Sequence, residues 1–241
     1  MIELKNISCF YGKNTVLENI NLKIPNHLTI LGVNGSGKST LAKTICDLID
    51  YDGEIFMDEV NLKKLSLKQK AKNISYIPTK LEVYDRFISV DEFVLLGRFS
   101  HKESFFSYTK QDEKIRDESI KLLNITHLKN HTLNSLSSGE QQLALIASAL
   151  SQQSRTIIFD EPTANLDPKN SKIIANHIKE LKQNHNIILI THDLHLAQYI
   201  DNEIAFIQDK RLLHFQNDFF KESNLFRLYG VKFDGVEPQY D

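Results

Sequence analysis

The chain has 241 residues, of which 41% are hydrophobic and 25% are charged, and its formal net charge is −2. This length is enough to bury a substantial core, and the composition is ordinary for a globular protein. Acidic and basic residues are interspersed, which argues against nucleic-acid binding and against a polybasic membrane anchor, so we expect any attachment to a membrane to run through a protein partner.

The first third of the chain alternates strand and helix patterns. Residues 2–9 and 15–24 alternate apolar and polar side chains, and the turn-like Tyr11-Gly12-Lys13-Asn14 between them predicts a β-hairpin. Leu28–Leu31 is a short apolar strand before a glycine-rich loop, and apolar residues follow at helical spacing over Leu41–Ile49. Two further strands are predicted at Gly53–Met57 and Asn73–Ile77.

A helical block and a second alternating region follow. From about Val90 to Leu150 the pattern is almost wholly helical, with a polar stretch around Ser100–Asp112. A βαβ pattern interrupted by one helical block predicts an α/β core that carries a helical insertion. The later strands are predicted at Thr156–Phe159, Asn186–Ile190, Glu203–Gln208 and Arg211–Phe215, and the later helices at Lys169–Gln183 and Asp193–Ile200.

The glycine-rich loop carries the first chemical motif. Gly32–Ser39 fits G-x-x-x-x-G-K-[ST] between a predicted strand and a predicted helix, a context that favours nucleotide binding over a simple helix cap. Glycines let backbone N–H groups curl around phosphate oxygens, and the helix that opens near Lys38 adds the positive end of its dipole. We expect Lys38 to reach the outer phosphates and Ser39 to bind Mg²⁺. The residues predicted to contact ATP are Gly32, Asn34, Gly35, Ser36, Gly37, Lys38, Ser39 and Thr40.

Two later strands end in residues that suit phosphate chemistry. Thr156–Phe159 delivers Asp160 and Glu161, which we expect to point to different sides because side chains alternate along a strand. Asp160 is then placed to hold Mg²⁺ through a water, and Glu161 to polarise the attacking water, although solvated strand-end acids are the simpler alternative. His192 follows the next strand and is predicted to reach a γ-phosphate. A His192/His195 metal pair is the alternative, without a further ligand cluster to support it.

Three motifs resemble the nucleotide-binding subunits of ABC transporters. Leu136–Gln142, with the sequence LSSGEQQ, resembles the signature motif of that family, and Ala164–Asp167 resembles its D-loop. Tyr11 stands where the family places the aromatic residue that stacks on adenine. The simpler interpretations are a capping box for the signature, a helix start at Asp167-Pro168 and a strand-end aromatic at Tyr11.

The resemblance implies a shared active site and a fold. Ser137, Gly139 and Glu140 of the signature would contact the ATP bound by the opposite subunit, with Asp167 of the D-loop beside them, which requires a homodimer. The implied fold is a mostly parallel α/β core with an antiparallel β subdomain and a helical subdomain. We expect one domain over 1–241, with the core at about 1–86 and 153–241 and the helical subdomain at about 87–152.

Two positions depart from the family pattern. Ser138 replaces a signature glycine, which is a mild change. At Thr79, in Ile77-Pro78-Thr79, the family normally has a glutamine that ligates Mg²⁺ at the joint between the core and the helical subdomain. Threonine is shorter, so we expect it to act on Mg²⁺ through a water. The alternative is that Thr79 is neutral and Glu82 supplies the contact.

The resemblance also implies a cellular role. We expect an Mg²⁺-dependent ATPase that works beneath integral membrane permease subunits, peripheral to the cytoplasmic face of the membrane, with an extracytoplasmic substrate-binding protein in the complex. Val90–His101 looks like the corresponding segment of importers for iron–siderophore complexes, haem and cobalamin. The alternatives are a soluble ABC-type ATPase of repair or translation, a binding-only subunit, and a transporter of another substrate or direction.

Location and redox state are expected from smaller features. The longest apolar runs, such as Leu143–Leu150, are far shorter than the about 20 residues that span a bilayer. The N-terminal residues alternate like a strand and lack the pattern of a signal peptide. Cys9 and Cys46 have no framework spacing, so we interpret both as small buried residues in a cytosolic, reducing compartment.

Overall fold

The computed structural model describes residues 1–81, 87–102 and 107–233, and within these ranges the chain forms two β-sheets and eight α-helices. The strands are β1 (Ile2–Tyr11), β2 (Asn14–Ile24), β3 (His27–Gly32), β4 (Asp52–Met57), β5 (Val60–Asn61), β6 (Ile74–Ile77), β7 (Thr156–Asp160), β8 (Asn186–Ile190), β9 (Glu203–Gln208) and β10 (Arg211–Phe215). The helices are α1 (Lys38–Ile45), α2 (Leu67–Asn73), α3 (Val90–Leu96), α4 (Lys110–Leu122), α5 (Ser138–Ser151), α6 (Pro168–Leu181), α7 (Leu194–Ile200) and α8 (Glu222–Tyr229).

The smaller sheet is antiparallel throughout, in the order β2-β1-β4-β5. The predicted hairpin is confirmed, with Tyr11 paired to Asn14 across its turn. Because side chains alternate along a strand, one face of this sheet is apolar and buries Leu4, Leu17 and Ile55. These residues share a core with α1 and with the larger sheet.

The larger sheet has the order β10-β9-β3-β8-β7-β6 and is parallel except for β10. Its central strands β7 and β8 are almost entirely apolar because layers cover both of their faces. Neighbouring parallel strands end at the same edge of a sheet. The carboxyl ends of β3, β8 and β7 therefore bring Gly32, Thr191 and Asp160 to one edge.

Three helices of the insertion, α3, α4 and α5, pack on each other. Their buried side chains share one hydrophobic core with the larger sheet. Each begins at a capping box, in which the N-cap hydroxyl and an acidic side chain three residues later satisfy each other's backbone N–H groups. The proposed boundary between the core and the helical subdomain, at about residues 86 and 87, lies partly outside the described residues, since 82–86 are not described. The sheets and the helical insertion confirm the expected fold class.

Four elements differ from the sequence prediction. Helix α1 ends at Ile45 rather than near Ile49, because Asp47 adopts a left-handed conformation with φ 56°, and Leu48 beyond it is exposed. Helix α2 buries none of its residues, so it lacks the apolar periodicity that would predict it. Two elements, β5 with only two residues and α8 with eight, were not predicted from the sequence. No helix in the described ranges is long and apolar enough to cross a bilayer.

Candidate nucleotide-binding site

The loop between β3 and α1 is shaped by glycines in conformations that other residues avoid. Gly35 and Gly37 have φ values of 79° and 101°. A Cβ atom on Gly37 would lie 2.9 Å from Val16 Cγ1, so packing against β2 also requires glycine there. Gly37 caps α1 without a side-chain hydrogen bond. The first N–H groups of the helix are therefore available to bind an anion.

The Lys38 ammonium is folded onto its own loop. Its Nζ donates hydrogen bonds to the carbonyl oxygens of Gly32 at 2.8 Å and Val33 at 3.2 Å, and it lies 3.7 Å from Glu161 Oε1. Only 6% of the residue is exposed. Burial lowers the pKa of Lys38, while the carboxylates of Glu161 and Asp160 oppose that shift. The lysine thus already lies between the loop and the acidic pair.

Asp160 ends β7 with both carboxylate oxygens engaged. Its Oδ1 accepts a hydrogen bond from Ser39 Oγ at 2.9 Å, and its Oδ2 accepts one from Tyr76 Oη at 2.7 Å. Burial and the contact with Asp160 raise the pKa of Tyr76. The two oxygen donors Ser39 and Asp160 are hard ligands held side by side. They fit Mg²⁺, which is usually held by one or two protein oxygens together with substrate phosphates.

Glu161 turns away from Asp160, but not for the predicted reason. Strand β7 ends at Asp160, and Glu161 has a left-handed φ of 50°, so the backbone turn rather than strand alternation separates the two carboxylates. Its amide donates to the Ile190 carbonyl at 2.8 Å, which anchors the turn to β8. Strained conformations of this kind concentrate at functional sites.

His192 lies against the Glu161 carboxylate. Its Nδ1 is 2.9 Å from Glu161 Oε2, which also accepts the backbone N–H of His192 at 3.3 Å. The backbone N–H of His195 donates to Asp193 Oδ1 at 2.9 Å, at the start of α7. Among the residues that the structure describes, no group of three or more His, Cys, Asp or Glu side chains could hold a metal ion.

The signature residues form a second group. Ser137 caps α5, and its Oγ donates to Glu140 Oε2 at 2.7 Å, while the same oxygen accepts the Ser137 N–H at 2.8 Å. The Ser137 hydroxyl bond lowers the pKa of Glu140. The predicted capping box is therefore present, and it coincides with the motif that resembles the signature.

The D-loop is tied to the signature through Asn170. Asp167 caps α6 by accepting the Asn170 backbone N–H at 2.9 Å, and the Asn170 amide donates back to the same carboxylate at 2.6 Å. These bonds lower the pKa of Asp167. A Cβ on Gly139 would lie only 2.7 to 3.0 Å from the side-chain atoms of Asn170, so this amide packs directly on the start of α5.

The remaining predicted residues lie around these two groups. Tyr11 is 54% exposed at the end of β1, and Asn34 is exposed on the loop. Thr40 is buried in α1. Thr79 is half-buried two residues beyond β6. Glu82, the alternative to Thr79, lies outside the described residues.

Two residues of the site, Tyr76 and Asn170, were not predicted from the sequence. Tyr76 falls in a predicted strand, but its role depends on the order of the strands. In the register of β6 with β7, Tyr76 is opposite Ile158, so Asp160 is its diagonal neighbour on the same face. Knowledge that β6 pairs with β7 would have revealed the contact. Asn170, three residues after Asp167, matches the spacing of an N-cap partner, which was a usable signal.

Comparison with known proteins identifies the family. A family model described as ABC transporter matches residues 17–164. A protein of Helicobacter pylori (strain ATCC 700392 / 26695), named "Probable iron chelatin transport ATP-binding protein", is 34% identical over 218 residues, covering 88% of this chain and 85% of that protein.

Two solved structures superpose over most of the chain. The structure of a metal-chelate type ABC transporter in an inward-facing conformation gives a TM-score of 0.83 at 25% identity and covers 96% of this chain and 89% of that one. A dimeric bacterial ABC transporter cassette gives 0.77 at 28% identity and covers 88% and 96%. The chain therefore belongs to the ABC transporter family, in which it is an ATP-hydrolysing subunit.

Proposed function

We propose that this chain works as a homodimer that powers a membrane importer, with each ATP held between the phosphate loop of one subunit and the signature of the other. The observation that carries the proposal is the division of the site residues into two groups. Lys38, Ser39, Asp160, Glu161 and His192 surround the phosphate loop. The signature and D-loop residues are held together separately by their own capping bonds. The dimeric cassette among its structural relatives supports this arrangement.

The chemistry assigned to the first group follows from its contacts. Ser39 and Asp160 would hold Mg²⁺, with Thr79 joining through a water, and the ion would neutralise charge on the phosphates. Glu161 acts as the general base for the attacking water, and the His192 contact orients its carboxylate. Lys38 moves from the loop carbonyls to the outer phosphates. Tyr11, exposed at the end of β1, stacks on the adenine.

The signature group serves the ATP of the partner subunit. The Ser137 hydroxyl and the Gly139 N–H at the start of α5 contact its γ-phosphate, with Glu140 and Asp167 beside them. Since the Ser137 hydroxyl donates to Glu140 within the single chain, closing the dimer exchanges this bond for one to phosphate. Closure and hydrolysis then drive the permease subunits between two states.

The partners and location belong to the same proposal. The cassette lies at the cytoplasmic face of the membrane, bound to integral permease subunits, with a substrate-binding protein on the other side. Leu96, the last residue of α3, and Phe99, three residues beyond it, are 48% and 60% exposed, which gives the helical subdomain an apolar surface suited to a protein partner. The single helical insertion and balanced charge favour this over a nucleic-acid-dependent ATPase.

The substrate class proposed is a chelated metal, with an iron–siderophore complex, haem or a cobalamin-type molecule as its members. Support comes from the name of the Helicobacter pylori relative and from the metal-chelate type transporter structure. This inference rests on similarity, because the transported molecule does not touch the ATPase subunit.

Uptake in cells tests the whole proposal. A strain that lacks the chain should lose import of one of three labelled substrates, a ferric siderophore, haem or a cobalamin. The wild-type chain should restore that import, and Glu161→Gln should not. Purification from membranes should bring a permease subunit with the chain. An uptake defect for none of the three chelate types, together with recovery of the chain without any integral subunit, would favour an ATPase that is not coupled to transport.

A further inference from the structure

We infer that Tyr76 is a positioning residue for the magnesium ion: its hydroxyl holds the Asp160 carboxylate in the orientation that the metal site needs and connects β6 to that site. The inference deepens the proposed function and rests on its assignment of Asp160 to Mg²⁺. The Tyr76 side chain does not touch the metal; it acts through Asp160.

The geometry assigns one partner to each oxygen of Asp160. Ser39 Oγ is 2.9 Å from Oδ1 and Tyr76 Oη is 2.7 Å from Oδ2, so the plane of the carboxylate is fixed from both sides. Asp160 is only 2% exposed, which leaves little room for it to reorient. A tyrosine hydroxyl is protonated at neutral pH, so it can donate this bond throughout the physiological range.

The chemistry of magnesium makes such orientation important. Mg²⁺ demands a nearly ideal octahedral arrangement of oxygen ligands, and it loses its waters reluctantly. Hydrogen bonds to metal-binding carboxylates fix their direction, and their removal typically costs about 10- to 100-fold in metal affinity. The same reasoning applies whether Asp160 binds the ion directly or through a water.

The position of Tyr76 gives the contact a second consequence. Tyr76 is the last residue but one of β6, which ends at Ile77 and leads within two residues to Thr79, where the chain approaches the helical subdomain. The Thr79 side chain is short for direct contact with the ion. The bond from Tyr76 to Asp160 therefore provides a direct link between the metal site and this segment.

The test is nucleotide binding as a function of Mg²⁺ concentration. Tyr76→Phe removes only the hydroxyl, and Tyr229→Phe is the matched control, because Tyr229 is also half-buried but packs on Phe206 and Phe233 near the C-terminal helix. Binding of a fluorescent ATP analogue is titrated with Mg²⁺ and repeated in EDTA. Tyr76→Phe should require about 10-fold more Mg²⁺ for half-maximal effect, with unchanged affinity in EDTA. Tyr229→Phe should match the wild type in both.

Each other outcome has a defined meaning. A Mg²⁺ requirement of Tyr76→Phe within twofold of the wild type would overturn the inference. A parallel loss of affinity in EDTA would overturn it too, since it would mean that Tyr76 only supports the fold. Melting temperatures of all three proteins check folding. A wild type that binds Mg²⁺–ATP without hydrolysing it would overturn the proposed function alone, because the Tyr76 comparison would still stand.

Discussion

At the scale of single residues, Asp160 and Glu161 show how two neighbouring carboxylates acquire different partners. Asp160 stays in the strand and bonds to Ser39 and Tyr76, whereas the left-handed backbone of Glu161 directs its carboxylate to His192 and Lys38. Sequence reasoning found the pair because an apolar strand that ends in two acids is recognisable. It could not find the turn, because nothing in the local sequence requires a non-glycine residue to adopt a positive φ.

Thr79 provides the first prediction. If its hydroxyl reaches Mg²⁺ only through a water, Thr79→Gln should add a direct oxygen ligand and raise ATPase activity, or make it depend more strongly on the permease, with little change in ATP affinity. The ATPase rate is measured against Mg²⁺ concentration. Glu82→Ala serves as the comparison. An inert Thr79→Gln together with an inactive Glu82→Ala would mean that Glu82 supplies the contact instead.

At the scale of elements, the strands were predictable and several boundaries were not. β7 and β8 are continuous apolar runs because both faces of the sheet are covered, so composition alone marks them. The end of α1 depends on Asp47, and α2 carries no buried residue to set a period. Contacts between elements, such as Asn170 on Gly139, are set by packing across the sequence and leave no local pattern.

The close packing of α5 against Gly97 leads to a prediction about stability. A Cβ at this position would lie 2.1 Å from Ser151 Oγ and 2.3 Å from the Ser148 carbonyl oxygen, so α5 would have to move away from the end of α3. Gly97→Ala should lower the free energy of unfolding by about 1–3 kcal/mol, the usual cost of overpacking. Urea denaturation measures it, with exposed Leu96→Ala as the control. Equal stability of Gly97→Ala and wild type would contradict the packing described.

Gly139 connects the signature to the D-loop. Gly139→Ala should favour the helix by about 1 kcal/mol on propensity alone, yet its Cβ would clash with the Asn170 side chain and push the start of α5 away from α6. We expect turnover to fall about 10-fold, equivalent to about 1.4 kcal/mol in the activation free energy, without loss of thermal stability. Asn170→Ala in the same chain should restore part of the rate. No recovery in the double variant would argue against the clash.

At the scale of the whole molecule, the proposed division of the ATP site between two subunits predicts that two defective variants complement each other. Ser137→Arg should still bind ATP at its phosphate loop through Lys38 but should block closure of the dimer. Lys38→Ala should not bind ATP at its phosphate loop but keeps an intact signature. Mixing the two variants should form one complete site per dimer, whereas neither variant forms one alone. ATP-dependent dimerisation followed by light scattering reads this out. A mixture that forms no more ATP-dependent dimer than either variant alone would contradict the shared-site geometry.

The molar mass of Glu161→Gln in saturating Mg²⁺–ATP tests the proposed role of Glu161 and the shared site together. Removal of the proposed general base should slow hydrolysis by about 10²–10⁴-fold while leaving ATP binding intact. Trapped ATP should then hold two chains together, so size-exclusion chromatography with light scattering should give twice the chain mass of 27.8 kDa, returning to one chain in ADP. A variant that stays monomeric in ATP and hydrolyses it at the wild-type rate would contradict both the role of Glu161 and the shared site.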